Sequence, residues 1–195
     1  MVEYSSTAPY RKKLVGVLLV LTFLFLPVGL LAEEKEFELQ VYLTKKQALA
    51  KSFPGADEIV KEKKWLTKEQ VKKIAELSQQ KIDEKRFTWY VGKKAGKAMG
   101  YMWIDNVIGK SYPITYMVVL NVDGSVRDVE IMVYREPRGW EVRYPSFLDQ
   151  FLGRNSDSDF REINSITGAT LSVRGITKGV TKAVSAYKVL YLEDE

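Results

Sequence analysis

Hydrophobic and polar positions divide the chain into three regimes. Residues 14–32, LVGVLLVLTFLFLPVGLLA, carry no charge, follow the basic triplet Arg11, Lys12 and Lys13, and stop at EEKEF. A run of that length behind a positive flank predicts either a membrane span or a signal peptide, with the basic end inside and the remainder exported. Phe37–Leu43 reads as a short strand or as a continuation of the membrane-proximal segment. Helical signals come next. Thr44 with Gln47 three positions on has the form of a capping box, opening a short helix over TKKQALAKSF that Pro54 and Gly55 end. Thr67 opens another, running to about Gln80, with Val71, Ile74 and Leu77 near one face.

From Phe87 onward the period shortens. RFTWYVGK and KAMGYMWIDNVIGK have the aromatic and β-branched character of strands. Ile114–Val122 and Val126–Val133 predict a hairpin joined by Asp123-Gly124, a favoured hairpin turn. Phe147, Leu148, Phe151 and Leu152 predict one helical turn against an aromatic side of the core. Helical spacing then returns: Val173, Ile176, Val180, Ala183, Val184 and Tyr187 make an apolar stripe that should pack on the sheet. The expected fold is therefore α+β, a central antiparallel or mixed β-sheet packed by helices, including a long C-terminal helix. Residues 1–32 are expected to be a signal peptide or transmembrane anchor, and residues 33–195 one extracytoplasmic domain.

Composition narrows the chemistry. The chain has 195 residues, with 30 basic and 25 acidic side chains and a net charge of +5. Residues 1–32 hold Arg11, Lys12, Lys13 and Glu3, so part of that excess belongs to the targeting flank. What remains is small and interspersed, and it does not point to nucleic acid. Cysteine and histidine are absent. That excludes disulfides, thiolate nucleophiles, imidazole bases and Cys or His metal sites.

The stretch NSITGATLSVRG, residues 164–175, crowds hydroxyls and glycines at the expected start of the last helix. A helix beginning near Thr170 or Leu171 presents unpaired amides and the positive end of its dipole. Gly168 and Ala169 add little bulk, Thr167, Thr170 and Ser172 offer hydroxyls, and Arg174 and Lys178 offer charge. Two readings stay open at this point: an anion pocket, or ordinary capping by Thr167 or Thr170.

SITGAT, followed by LS and an apolar-faced helix, resembles the covalent attachment motif of the FMN-binding domain family, which includes subunits of sodium-translocating NADH:quinone reductase and Rnf-type complexes. KAMGYMWI, YPITYMVVLNVDGSVRDVEIMVYRE, Glu136 and Gly139 in the loop after it, and FLDQFLGR match further segments of the family in order. One position departs from it: Asn164 stands where the family usually has Asp. The resemblance implies FMN joined through a phosphodiester to Thr170, with Thr167, Gly168, Ala169, Leu171, Ser172, Arg174 and Lys178 around the phosphate and Glu136, Gly139 and Trp140 near the flavin. Tyr101, Trp103, Tyr134, Phe147 and Phe151 are further candidates for the ring's slot. It also implies a flavin transferase for maturation and membrane or periplasmic redox proteins as partners. The implied role is an electron relay outside the cytoplasm; the alternatives are an exported binding module without covalent flavin and a reductase with noncovalent flavin.

Overall fold

Alternating apolar side chains build the middle of the chain into a sheet. In the computed structural model, whose description covers residues 39–193, the strands are β1 (Gln40–Val41), β2 (Glu58–Trp65), β3 (Arg86–Lys94), β4 (Lys97–Ile108), β5 (Pro113–Leu120) and β6 (Val126–Tyr134). Their order across the sheet is β1-β6-β5-β4-β3-β2. Every pairing is antiparallel, so the sheet is not mixed. β2 to β6 form a meander in which each strand lies beside its predecessor, as short connections favour. The expected hairpin is present, its strands shifted slightly from the predicted bounds, with the Asn121 amide donating to the Ser125 carbonyl across the turn. The apolar segment 14–32 and the start of Phe37–Leu43 lie outside the described residues; within them that strand reduces to Gln40–Val41.

β2 is an element that the hydrophobic pattern does not announce. Its sequence, EIVKEKKW, is rich in charge because no side chain in it is buried. It pairs with β3 and with no other strand among the described residues.

The two faces of the sheet carry separate cores. Trp89, Trp103, Tyr116, Val118, Leu120, Val129, Ile131 and Tyr134 belong to the larger one. It is covered by helices α2 (Lys68–Ser78) and α4 (Thr170–Tyr187). Met102, Met117, Val119 and Met132 meet Ala48 and Phe53 on the other face, where Ala48 belongs to α1 (Lys45–Ser52). Both α1 and α2 begin with complete capping boxes, Thr44 with Gln47 and Thr67 with Gln70. Each such cap contributes about 1 kcal/mol.

The predicted stripe of α4 is the buried one: Val173, Ile176, Val180, Ala183, Val184 and Tyr187 are all buried. Full burial of residues such as Ile176 and Val180 is favourable by roughly 1.5–3 kcal/mol each. A Cβ at Gly179 would lie 2.4 Å from the Tyr116 hydroxyl oxygen and 2.5 Å from its ring carbon. The helix therefore rests directly on the sheet at that point. The expected turn at Phe147 is also present, as α3 (Pro145–Leu148) followed by a 3-10 turn, Asp149–Phe151. Leu152 differs from expectation in being exposed, because the helix ends before it.

One charge lies partly inside the larger core's rim. The Lys182 Nζ atom is 2.6 Å from Glu84 Oε1 and 2.8 Å from Asp105 Oδ2, and it sits 5.5 Å from the Trp103 ring centroid.

Candidate functional site

The start of α4 differs from those of α1 and α2 in lacking a side-chain cap. Ala169 occupies the N-cap position, and no side chain accepts a hydrogen bond there. Neither Thr167 nor Thr170 fills the capping role that the sequence left open. Thr167, Gly168, Thr170, Arg174 and Lys178 are exposed or partly exposed, as is Leu171 at 47%. Gly168 has φ 85°, a left-handed conformation that suits glycine, and the space a Cβ would occupy there is open. The helix thus presents uncapped amides, the positive end of its dipole and the Thr170 hydroxyl on one solvent-facing surface.

Ala169 and Ser172, by contrast, are buried. The Ser172 hydroxyl lies 2.9 Å from the Tyr134 hydroxyl at the end of β6, and Tyr134 Oη donates to the Arg138 carbonyl at 2.7 Å. Burial pushes the Tyr134 hydroxyl up to about 12, its bond with Ser172 opposing the shift; it is a neutral donor at ordinary pH. Gly139 closes the contact. Its φ is 85°, and a Cβ there would lie 2.8 Å from the Tyr134 oxygen, 3.0 Å from the Ser172 oxygen and 3.5 Å from the Ala169 Cα. Loop and helix therefore approach as closely as a backbone without a side chain allows.

Glu136, two positions after Tyr134, is also buried. Its Oε1 accepts from the amides of Ser111 at 2.7 Å and Tyr112 at 2.9 Å. This carboxylate ties the β4–β5 turn to the loop that follows β6. Trp140 is 38% exposed and opens a short 3-10 turn, Trp140–Arg143. Arg143, which the sequence does not single out, places its guanidinium 5.6 Å from the Trp140 ring, 4.7 Å from Tyr42 and 5.2 Å from Tyr144. Such stacking is favourable by about 0.5–1 kcal/mol per exposed pair. Asn164 is exposed, and its amide donates to Gln150 Oε1 at 2.7 Å.

The remaining aromatic candidates are engaged in packing contacts of the core. Tyr101 packs 4.8 Å from Tyr187, seventeen residues and therefore about 25 Å along α4 from Thr170. Trp103 packs against Phe87 and Trp89 with tilted rings. Phe147 and Phe151 pack edge to face within the core. Tyr134 has a fully buried ring, and its hydroxyl alone reaches the helix start. Of the six aromatic residues that the sequence offers for a flavin slot, Trp140 combines solvent exposure with a position beside Gly139. The sequence inventory of donors and rings cannot tell which ones the interior already engages.

Comparisons with known proteins agree with the resemblance. The FMN-binding domain family matches residues 109–185, a span that contains Glu136, Gly139, Trp140 and the start of α4. One component of the proton-translocating ferredoxin:NAD(+) oxidoreductase complex of Clostridium ljungdahlii is 30% identical over 106 residues, which cover 49% of this chain and 57% of that protein. One component of the Na(+)-translocating ferredoxin:NAD(+) oxidoreductase complex of Acetobacterium woodii is 24% identical over 133 residues, 62% of this chain and 64% of that one. In both cases the match spans less than two thirds of the relative's length. Among solved structures, a component of the Na(+)-translocating NADH-quinone reductase of Parabacteroides distasonis is similar with a TM-score of 0.45 at 14% identity, covering 68% of this chain and 76% of that one.

Proposed function

Because residues 109–185 belong to the FMN-binding domain family, we propose that this chain is an electron-transfer flavoprotein domain carrying FMN through a phosphodiester on Thr170. The observation that carries the reading is the uncapped start of α4, whose exposed Thr170 hydroxyl stands among free amides while α1 and α2 both close their starts with side chains. A phosphodiester keeps one negative charge. The amides near Leu171 and Ser172, the helix dipole and the exposed Arg174 suit that charge. Arg174 lies one helical turn after Thr170, and Lys178 one turn beyond that.

The residues present fit the group. Thr167, Gly168 and Ala169 leave the approach to Thr170 free of bulk, and Trp140 with Leu171 offers exposed apolar surface in the same region. When bound, FMN supplies the one- and two-electron chemistry; the protein supplies orientation and electrostatics. Thr170 acts as a nucleophile once, during maturation, when a separate flavin transferase activates its weak hydroxyl. The Thr170 oxygen would displace the leaving group at the flavin-side phosphorus of a flavin dinucleotide donor: the oxygen–phosphorus bond forms as the phosphoanhydride bond breaks, the nucleoside monophosphate leaves with the hydroxyl proton, and the net gain on the chain is FMN less one water. Glu136 holds the neighbouring turn through Ser111 and Tyr112; the flavin's edge is left to Trp140 and the loop around Gly139.

The proposal extends to place. The uncharged run at residues 14–32 behind three basic residues supports a domain held or released outside the cytoplasm, with membrane or periplasmic redox proteins as its partners. Ion pumping is not part of the assignment, since it belongs to whole complexes of which a carrier domain is one component.

Mass spectrometry tests the reading. Co-expressed with an export-compatible flavin transferase, the protein should gain the mass of FMN less one water on the peptide containing Thr170, and Thr170→Ala should abolish the gain. Unmodified mass after efficient transferase treatment overturns the covalent assignment. Yellow colour that is lost on unfolding would instead identify a noncovalent flavin.

A further inference from the structure

We propose that Tyr134 is a positioning residue whose hydroxyl locks the Arg138–Gly139 loop and the first turn of α4 into one unit, and thereby sets the orientation of Thr170. The inference rests on the reading of Thr170 as the flavin tether, and it adds the device that presents that tether.

Every helix start needs something to fix its direction. In α1 and α2 a side chain closes the front of the helix, which also covers the amides. The front of α4 is open. Its first turn is instead held from behind, where Ser172, two residues after Thr170, turns its hydroxyl into the interior and meets Tyr134 Oη at 2.9 Å. Tyr134 is fully buried and Ser172 is 4% exposed, so water does not substitute freely for either partner. The same tyrosine oxygen donates to the Arg138 carbonyl at 2.7 Å, joining the helix to the loop that leads to Trp140.

Two further features make this bracket stiff. Gly139 leaves 2.8 Å and 3.0 Å between its would-be Cβ and the two hydroxyl oxygens, so the loop has no slack. Glu136 anchors the other end of the loop to Ser111 and Tyr112. Tyr134 and Glu136 thus tie three segments together: the β4–β5 turn, the loop after β6 and the start of α4. The Thr170 side chain is exposed, and it inherits its direction from this bracket. Holding from behind leaves the front of the helix available to an anion.

The test compares the full chain with Tyr134→Phe, Ser172→Ala and the double variant, using three readouts. Before flavin is added, amide hydrogen exchange in Tyr134→Phe should accelerate at least about tenfold at the hydrogen-bonded amides that flank the bracket, Val142 after the loop and Ala169 and Val173 at the helix start, with the central sheet unchanged. In the presence of the transferase, the rate of flavin incorporation should fall about 10- to 100-fold, as expected when a reacting group is misplaced by a fraction of an ångström to an ångström. The thermal midpoint should fall in Tyr134→Phe, which strands the buried Ser172 hydroxyl and takes the donor from the Arg138 carbonyl, and recover in part in the double variant, which removes the stranded hydroxyl. Incorporation should stay slow in that double variant. Unchanged exchange in the two segments, or incorporation that recovers together with the midpoint, overturns the proposal and leaves the pair a purely structural contact. If the parent chain takes no flavin while exchange still rises in both segments together, the bracket stands and the flavin reading falls.

Discussion

Lys182 shows what a single half-buried charge requires. Burial pulls its ammonium down, yet the carboxylates of Asp105 and Glu84 outweigh that effect and hold it above the usual lysine value. Glu84 is pushed up by burial, but the hydrogen bond from Lys182, backbone amides and the lysine's charge together draw it further down, so it lies below the usual carboxylate value. Lys182→Met removes the shared cation and should destabilise the fold by about 1–3 kcal/mol, less than a fully buried pair because Glu84 is partly solvated. The sign follows from the shifts. The lowered Glu84 contributes above its ordinary value and loses that contribution as pH falls through its folded one; the raised Lys182 contributes below its ordinary value and loses it as pH rises through its folded one. The gap between parent and variant in urea unfolding should therefore be flat near neutrality and narrow in acid. Thr170, Arg174 and Trp140, which the sequence offers as site candidates, all reach solvent; that is as far as residue type alone carries. It was silent about the partners of Ser172, Glu136 and Tyr134, whose polar atoms are engaged by groups distant in sequence, and about Arg143, whose stacking needs Tyr42 brought beside it next to β1.

Among elements, those with strong local codes were legible. A capping box at Thr44 placed α1, the Thr67 cap placed α2, the Asp123-Gly124 turn placed the β5–β6 hairpin, and a 3.6-residue stripe placed α4 with its buried face. β2 escaped because an edge strand buries little and its lysine-rich alternation merges into the lysines of the next helix. The purpose of Gly179 was also hidden, since it depends on Tyr116 across the helix–sheet contact. Gly179→Ala would normally favour a helix by about 1 kcal/mol. Here the added methyl meets the tyrosine at 2.4–2.5 Å, and overpacking should make the variant less stable by about 1–3 kcal/mol. A higher denaturation midpoint than the parent's would show that α4 can lift away from the sheet.

At the scale of the molecule, the family match covers β5, β6 and most of α4, while α1, β2 and α2 lie outside it. The sheet ends in β2, whose far side meets no strand among the described residues. Extended backbone left unmatched is a template on which a second molecule can add a strand. Lys61 and Lys63, both exposed along it, set like charges against any approaching copy of themselves. Replacing the two with valine should produce concentration-dependent oligomers in sedimentation velocity, with salt promoting association of the parent more than of the variant. The lysines that concealed this strand from a hydrophobicity pattern are thus its protection: the same repulsion keeps a crowd of neighbouring copies from knitting together side by side.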